Sequence, residues 1–123
     1  MIYGIGVDAT EIERIAKALD NPRFLSRVFT AEEARSVGEG PDGIRRWAAR
    51  FAAKEALIKA CGGIHHSQWT DIEIIRQVHH EPLVRVTGEL GRWIQENNLK
   101  IWLSFTHERH YAIAMVILEK EHV

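Results

Sequence analysis

Apolar and polar residues alternate through the first eight positions, MIYGIGVD, with the period of two that marks a strand. Tyr3, Ile5 and Val7 fall on one face, and Gly4, Gly6 and Asp8 on the other. Two glycines on a single face leave it bare, so the pattern predicts close approach by another backbone or by a ligand. Asp8 is expected to end this strand. The period then lengthens: Ile12, Ile15, Ala16 and Leu19 form a helical stripe behind Thr10 and Glu13, which have capping-box spacing. Asn21-Pro22 predicts the cap and first turn of a short helix running to about Phe29. Thr30 and Glu33 repeat the capping-box spacing and predict another short helix that stops near Gly38. EGPDG, residues 39–43, is expected as a loop.

From about Ile44 to Ala60 the chain reads as one long alanine-rich helix, stopped by Gly62 and Gly63. Asp71 to Val78 and Pro82 to Val86 predict a hairpin across His79, His80 and Glu81. Gly88 to Asn97 predicts a short helix with Leu90, Trp93 and Ile94 on one side. Leu99 to Phe105 and His110 to Leu118 predict two strands joined by a tight turn at THER. The last strand, YAIAMVIL, is apolar on both faces, the pattern of a strand covered twice. In a chain of 123 residues, another subunit is a candidate for one of those covers. Helices and strands mix without strict βαβ alternation, so the expected class is α+β, as one domain over residues 1–123.

Composition narrows the partners. With 46% hydrophobic and 27% charged residues the chain is globular in kind. A net charge of −1 supplies no global field for nucleic acid or an anionic membrane, so a charged partner must meet a local patch. No apolar run approaches the ~20 residues of a membrane helix, and MIYGIGVD lacks the features of a signal peptide. The single cysteine, Cys61, permits no internal disulfide and fits a reducing cytosol. A soluble, cytoplasmic protein is expected.

Three places put polar groups beside apolar structure. Asp8 reads either as an N-cap, with Glu11 three residues on, or as a metal ligand facing the side left bare by Gly4 and Gly6. In RFAAKEALIKACGG, residues 50–63, Glu55 and Lys59 have the favoured order for a helix ion pair, worth roughly 0.2–0.5 kcal/mol. Arg46, Arg50 and Lys54 form a basic row beside Glu55, and such a row next to one carboxylate suits a phosphate held with a divalent ion. In SFTHERHYA, His107 lies at a turn, where it can reach into a cleft. His107 and His110 do not share a face in a hairpin as they would on a helix, and no residue set has structural-zinc spacing.

Taken together, MIYGIGVDATEIERI, RFAAKEALIKACGGI and LSFTHERHYAIAMVI closely resemble the bacterial holo-acyl-carrier-protein synthase family, the short type of 4′-phosphopantetheinyl transferase. The shared pattern is an Asp after a glycine-rich first strand, a W/F-x-x-K-E-A-x-x-K-A helix and a final S-x-[ST]-H…Y-A-x-A hairpin. The resemblance implies the phosphopantetheinyl transferase fold, a mostly antiparallel sheet packed with one long and several short helices. It also implies transfer of the phosphopantetheine arm of coenzyme A to a serine of an acyl carrier protein, in fatty acid biosynthesis. Asp8 and Glu55 match the family's magnesium ligands, and Lys54 and Lys59 the lysines near the pyrophosphate, with Lys59 stabilising developing charge. Arg50 and His107 match positions associated with the 3′-phosphate of coenzyme A, with Arg46 a further candidate. Either Glu55 or a water on the metal takes the serine proton. Ser104 has no nucleophilic part, because the nucleophile arrives on the partner.

Acyl carrier proteins are acidic, which calls for a positive docking patch. Arg14, Arg23 and Arg27 are expected to form it, with Phe24 or Leu25 in apolar contact. The family's short type is trimeric with its site between subunits, which implies that His107 faces coenzyme A from a neighbour and accounts for the doubly apolar last strand. Where the family commonly has Phe-Gly-Thr-Gly after the helix, this chain has Cys61-Gly62-Gly63-Ile64, which keeps the turn and loses a hydroxyl. Residues 36–46 match the family poorly. The competing expectations are a non-catalytic coenzyme A or carrier-protein binding module of the same fold, and a small structural trimer.

Overall fold

The computed structural model describes residues 1–76 and 82–121. In chain order these form β1 (Ile2–Glu11), α1 (Ile12–Ala18), α2 (Pro22–Val28), α3 (Ala31–Val37), α4 (Gly40–Ala60), a 3-10 turn (Trp69–Asp71), β2 (Ile72–Ile75), β3 (Leu83–Val86), α5 (Gly88–Glu96), β4 (Leu99–His107) and β5 (Tyr111–Lys120). An antiparallel sheet has the order β1-β5-β4, and β2 and β3 make a separate antiparallel ribbon. The class is α+β with one long helix, as the sequence pattern predicts.

Register decides what meets the long helix. Gly4, Gly6, Asp8 and Thr10 of β1 stand opposite Leu118, Val116, Ala114 and Ala112 of β5. On the other flank of β5, those same four residues face Ile101, Leu103, Phe105 and His107 of β4. This side of the sheet packs on α4, whose Ala48, Ala49, Ala52, Ala53, Ala56 and Ala60 are buried. Alanine suits the place, because it holds the helix without holding it away from the sheet. The glycine face predicted for β1 is the seam: a Cβ on Gly4 would collide with the Ala60 carbonyl oxygen, and one on Gly6 with that of Ala56. Backbone meets backbone there.

A different face of α4 receives α3 and β2. The two capping signals between residues 21 and 33 form as expected. The Asn21 side chain accepts from the Arg23 amide at 3.0 Å, and Thr30 and Glu33 cap one another reciprocally. Gly62 and Gly63 close α4 with φ of 77° and 143°, backbone angles that favour glycine. Leu90 and Ile94 of α5 are buried, with Trp93 half-buried beside them. At the β4–β5 turn the Glu108 carboxylate accepts from the His110 and Tyr111 amides, which hold its pKa below the ordinary value.

Besides β4 and β5, which run two residues past the expected Phe105 and Leu118 and so take Thr106 and His107 out of the turn, three boundaries differ from expectation. First, β1 does not end at Asp8: Ala9, Thr10 and Glu11 go on pairing with Ile113, Ala112 and Tyr111. Neither capping box read around Asp8 forms, because Glu11 occupies the cap position of α1 without a side-chain bond. The Thr10 hydroxyl donates to Asp8 instead. Second, α4 begins at Gly40, so EGPDG is largely helix. Pro41 lies in the first turn, where its missing N–H leaves nothing unpaired. Third, β2 is shorter than expected, and the turn at His79, His80 and Glu81 lies outside the described residues.

The far face of the sheet carries Ile5, Val7, Ile113, Met115 and Trp102, each between 39% and 59% exposed. This is the second apolar side read in the last strand, and within one chain nothing described covers it. No helix among the described residues is long and apolar enough to cross a membrane.

Candidate active site

The seam between β1 and α4 brings two carboxylates and one ammonium together. Gly6 lies against Ala56, and Asp8, two residues on, shares its side of the strand. The Asp8 side chain is 13% exposed. One of its oxygens accepts from the buried Thr10 hydroxyl, and the other lies 3.2 Å from Lys59 Nζ. The same ammonium donates to the Val7 carbonyl oxygen at 3.0 Å. Lys59 thus reaches across to the strand and pairs with Asp8, in place of the Glu55 pairing that helix spacing predicts.

Glu55 is half-buried one turn before Lys59. Burial raises its carboxyl pKa above the ordinary value, the Asp8 charge raises it further, and Lys59 and Arg14 pull it down. At Glu55, burial and the neighbouring carboxylate outweigh the two cations, so its carboxylate stands in a place that favours further positive charge. The donors of the two acids are hard oxygens, suited to magnesium, which takes one or two protein carboxylates and fills its shell with phosphate and water. No group of three or more His, Cys, Asp or Glu side chains suited to a metal ion occurs among the described residues. The pair on its own matches a site completed by substrate.

Two predicted phosphate ligands lie elsewhere, and this corrects the reading of the basic row. Lys54 is fully buried. Its ammonium donates to Val28 O at 2.6 Å, Glu33 Oε1 at 2.7 Å and Trp69 O at 3.3 Å. Burial lowers its pKa, and the Glu33 charge and hydrogen bond oppose that change. Arg50 is also buried, bonded to Ile74 O, Arg46 O and Ser36 Oγ at 3.2–3.3 Å. Arg46 donates to Val37 O at 2.9 Å. Lys54 and Arg50 therefore turn inward and pin α2, α3 and β2 to α4, while Arg46 stays exposed. The physical reason is Glu33, which also accepts the Ile74 amide and gives Lys54 a buried counter-charge.

Glu33 and Thr10 are the residues that sequence reasoning missed. Glu33 was visible only as a capping residue, although a lysine set among alanines that all turn out buried was a signal that some acid must meet it.

His107 is exposed at the end of β4. Ala112 pairs with Thr10 on one flank and with His107 on the other, so His107 lies two strands from β1, about 10 Å, at the Asp8 end of the sheet. Arg14 is exposed on α1 and near enough to Glu55 to lower its pKa. Arg23 and Arg27 are exposed on α2. Phe24 packs inward against Phe29 and Phe51, at ring separations of 6.2 and 6.0 Å. After α4, the His65 ring stacks on Trp93 at 4.3 Å, and its Nε2 lies 2.8 Å from Cys61 O, which draws the CGGI turn closed. A groove of about 580 Å³ runs between α1, the start of α4 and the β4–β5 turn, lined by Glu13, Arg45, Arg109 and His110 among others. Asp8, Glu55 and Lys59 do not line it.

Comparison with known proteins gives a consistent family. A family model for the 4′-phosphopantetheinyl transferase superfamily matches residues 4–116. A holo-[acyl-carrier-protein] synthase of Alkaliphilus metalliredigens is 41% identical over 120 residues, spanning 95% of this chain and 98% of that protein. One from Myxococcus xanthus is 38% identical over 123 residues, spanning 98% and 97%. Among solved structures, a holo-(acyl-carrier-protein) synthase of Bacillus anthracis in complex with coenzyme A (3′,5′-ADP) superposes with a TM-score of 0.82 at 32% identity, covering 98% of this chain and 99% of that one. The Mycobacterium tuberculosis acyl carrier protein synthase gives 0.79 at 34% identity, covering 98% and 100%.

Proposed function

Because this chain belongs to the 4′-phosphopantetheinyl transferase superfamily, with holo-[acyl-carrier-protein] synthases as full-length relatives, we infer that it transfers the 4′-phosphopantetheine arm of coenzyme A to a serine of apo acyl carrier protein. Adenosine 3′,5′-bisphosphate leaves. The observation that carries this reading is the meeting of Asp8, Glu55 and Lys59 where the glycine seam ends.

Asp8 and Glu55 are the residues that would hold magnesium, which supplies charge neutralisation on the pyrophosphate oxygens when bound. Lys59, on a flexible stem beside both acids, sets an ammonium against the charge that grows as the pyrophosphate bridge breaks. The serine oxygen forms the new bond to phosphorus, the bond to the bisphosphate breaks, and the serine proton passes to Glu55. His107 meets the 3′-phosphate of coenzyme A from a neighbouring copy. Arg50 and Lys54 do not touch substrate in this scheme. They hold the helix that carries Glu55.

The protein works as a homotrimer in the cytoplasm and serves fatty acid biosynthesis. The uncovered apolar sheet face supports the assembly. Arg14, Arg23 and Arg27 form the docking surface for the acidic carrier protein, and Arg14 links that surface to Glu55.

Apo carrier protein incubated with coenzyme A, magnesium and this protein is expected to gain the mass of one phosphopantetheine. Glu55→Ala is expected to remove the gain and leave a folded assembly. Unchanged carrier mass with the wild-type chain would favour a binding module, and loss of assembly in Glu55→Ala would favour a structural trimer.

A further inference from the structure

We propose that the Lys59 ammonium is a built-in counter-ion at Asp8, which a divalent cation displaces and the pyrophosphate of coenzyme A then receives. The proposal rests on the reading above that Asp8 and Glu55 hold that cation. Three observations support it. Lys59 has a carboxylate one turn back on its own helix, yet its ammonium lies on Asp8 and on the Val7 carbonyl, more than fifty residues away in sequence. A carboxylate oxygen and a carbonyl oxygen are the kind of hard donors that a divalent cation takes from a protein. The ammonium therefore already fills part of such a site.

The two acids are also unequal. Both oxygens of Asp8 are engaged, one by Thr10 and one by Lys59, whereas Glu55 makes no hydrogen bond or ion pair among the described residues. A cation approaching the pair meets a free acid and an occupied one, so it gains Asp8 only as Lys59 leaves. The Lys59 side chain is half-exposed, and the bond it gives up is that of a solvated ion pair, weak enough to exchange. Once released, the ammonium stays tethered beside both acids, where a pyrophosphate joined to the cation would lie.

The exchange links two binding events. A pyrophosphate that captures Lys59 clears Asp8 and tightens the cation, and by reciprocity a cation that evicts Lys59 tightens the pyrophosphate. Neither ligand alone draws on the full site.

Titration calorimetry with magnesium, with and without coenzyme A, tests this on the wild type and on Lys59→Met. The exchange predicts that Lys59→Met binds magnesium about five-fold or more tightly than the wild type when coenzyme A is absent, and that the gain caused by coenzyme A shrinks. Arg14→Met is the charge control, because it removes a cation felt by Glu55 that does not contact Asp8. It is expected to tighten magnesium less and to keep the coenzyme A effect. Unchanged or weaker magnesium binding in Lys59→Met, or equal tightening in the two variants, would overturn the exchange. Asp8→Asn separates this from failure of the underlying reading: if magnesium still binds undiminished in that variant with coenzyme A present, the acid pair is not the ion's site at all.

Discussion

At the scale of single residues, the protein places its charges in two opposite ways. Lys54 and Glu33 are sealed inside, each as the other's only described ionic partner, whereas Asp8, Glu55 and Lys59 meet near the surface. A buried pair adds little over an apolar pair, yet losing one member leaves an uncompensated charge. Glu33→Gln or Lys54→Met alone is thus expected to cost about 3–5 kcal/mol by urea unfolding, and the double variant to regain most of it. Glu55 carries a different prediction. Its folded pKa lies above the ordinary value of 4.5, so the folded chain holds a proton that the unfolded chain has released. Stability of the metal-free protein should fall as pH rises from that ordinary value through the raised one. Glu55→Gln should remove this fall, melting higher than the wild type at neutral pH and equally below the window. Of these residues, the surface cluster was legible in the sequence and the buried pair was not. Lys54 and Glu55 are neighbours in one motif, but a helix turns about 100° between them, and only tertiary structure decides which of the two points inward.

At the scale of elements, signals closed within a few residues were readable, and those that depend on distant partners were not. The Asn21 cap, the Thr30–Glu33 box and the double glycine after α4 each act inside one turn, and each formed. The end of β1 depends on β5, about a hundred residues later, and its three extra residues follow from pairing that no local pattern reveals. The start of α4 was hidden because Gly and Pro serve loops and first helical turns alike. The glycine face of β1 was legible because a missing side chain is a local fact with a long-range use. Gly6→Ala tests that use: its methyl would meet the Ala56 carbonyl and force strand from helix. The variant is expected to lose about 1–3 kcal/mol or more by urea unfolding, as overpacking does. Transfer activity should fall further than stability explains, measured where the variant is fully folded, because the wedge lies beside Asp8.

At the scale of the whole molecule, a net charge of −1 hides an uneven surface. Arg14, Arg23 and Arg27 stand exposed on two successive helices. Exposed rim charges act chiefly on encounter rate, so Arg23→Glu with Arg27→Glu should raise KM for the carrier protein about ten-fold or more, leave KM for coenzyme A unchanged, and flatten the dependence on salt. An equal rise in both constants would mean that α2 is not the docking surface.

The bare apolar side of the sheet, built from Ile5, Val7, Ile113, Met115 and Trp102, has a consequence for dosage. If copies must meet along it before His107 of one chain stands over the acids of the next, a dilute chain is an idle one. Output would then climb more steeply than the amount of protein made, and a cell that halved its supply would lose more than half of the work.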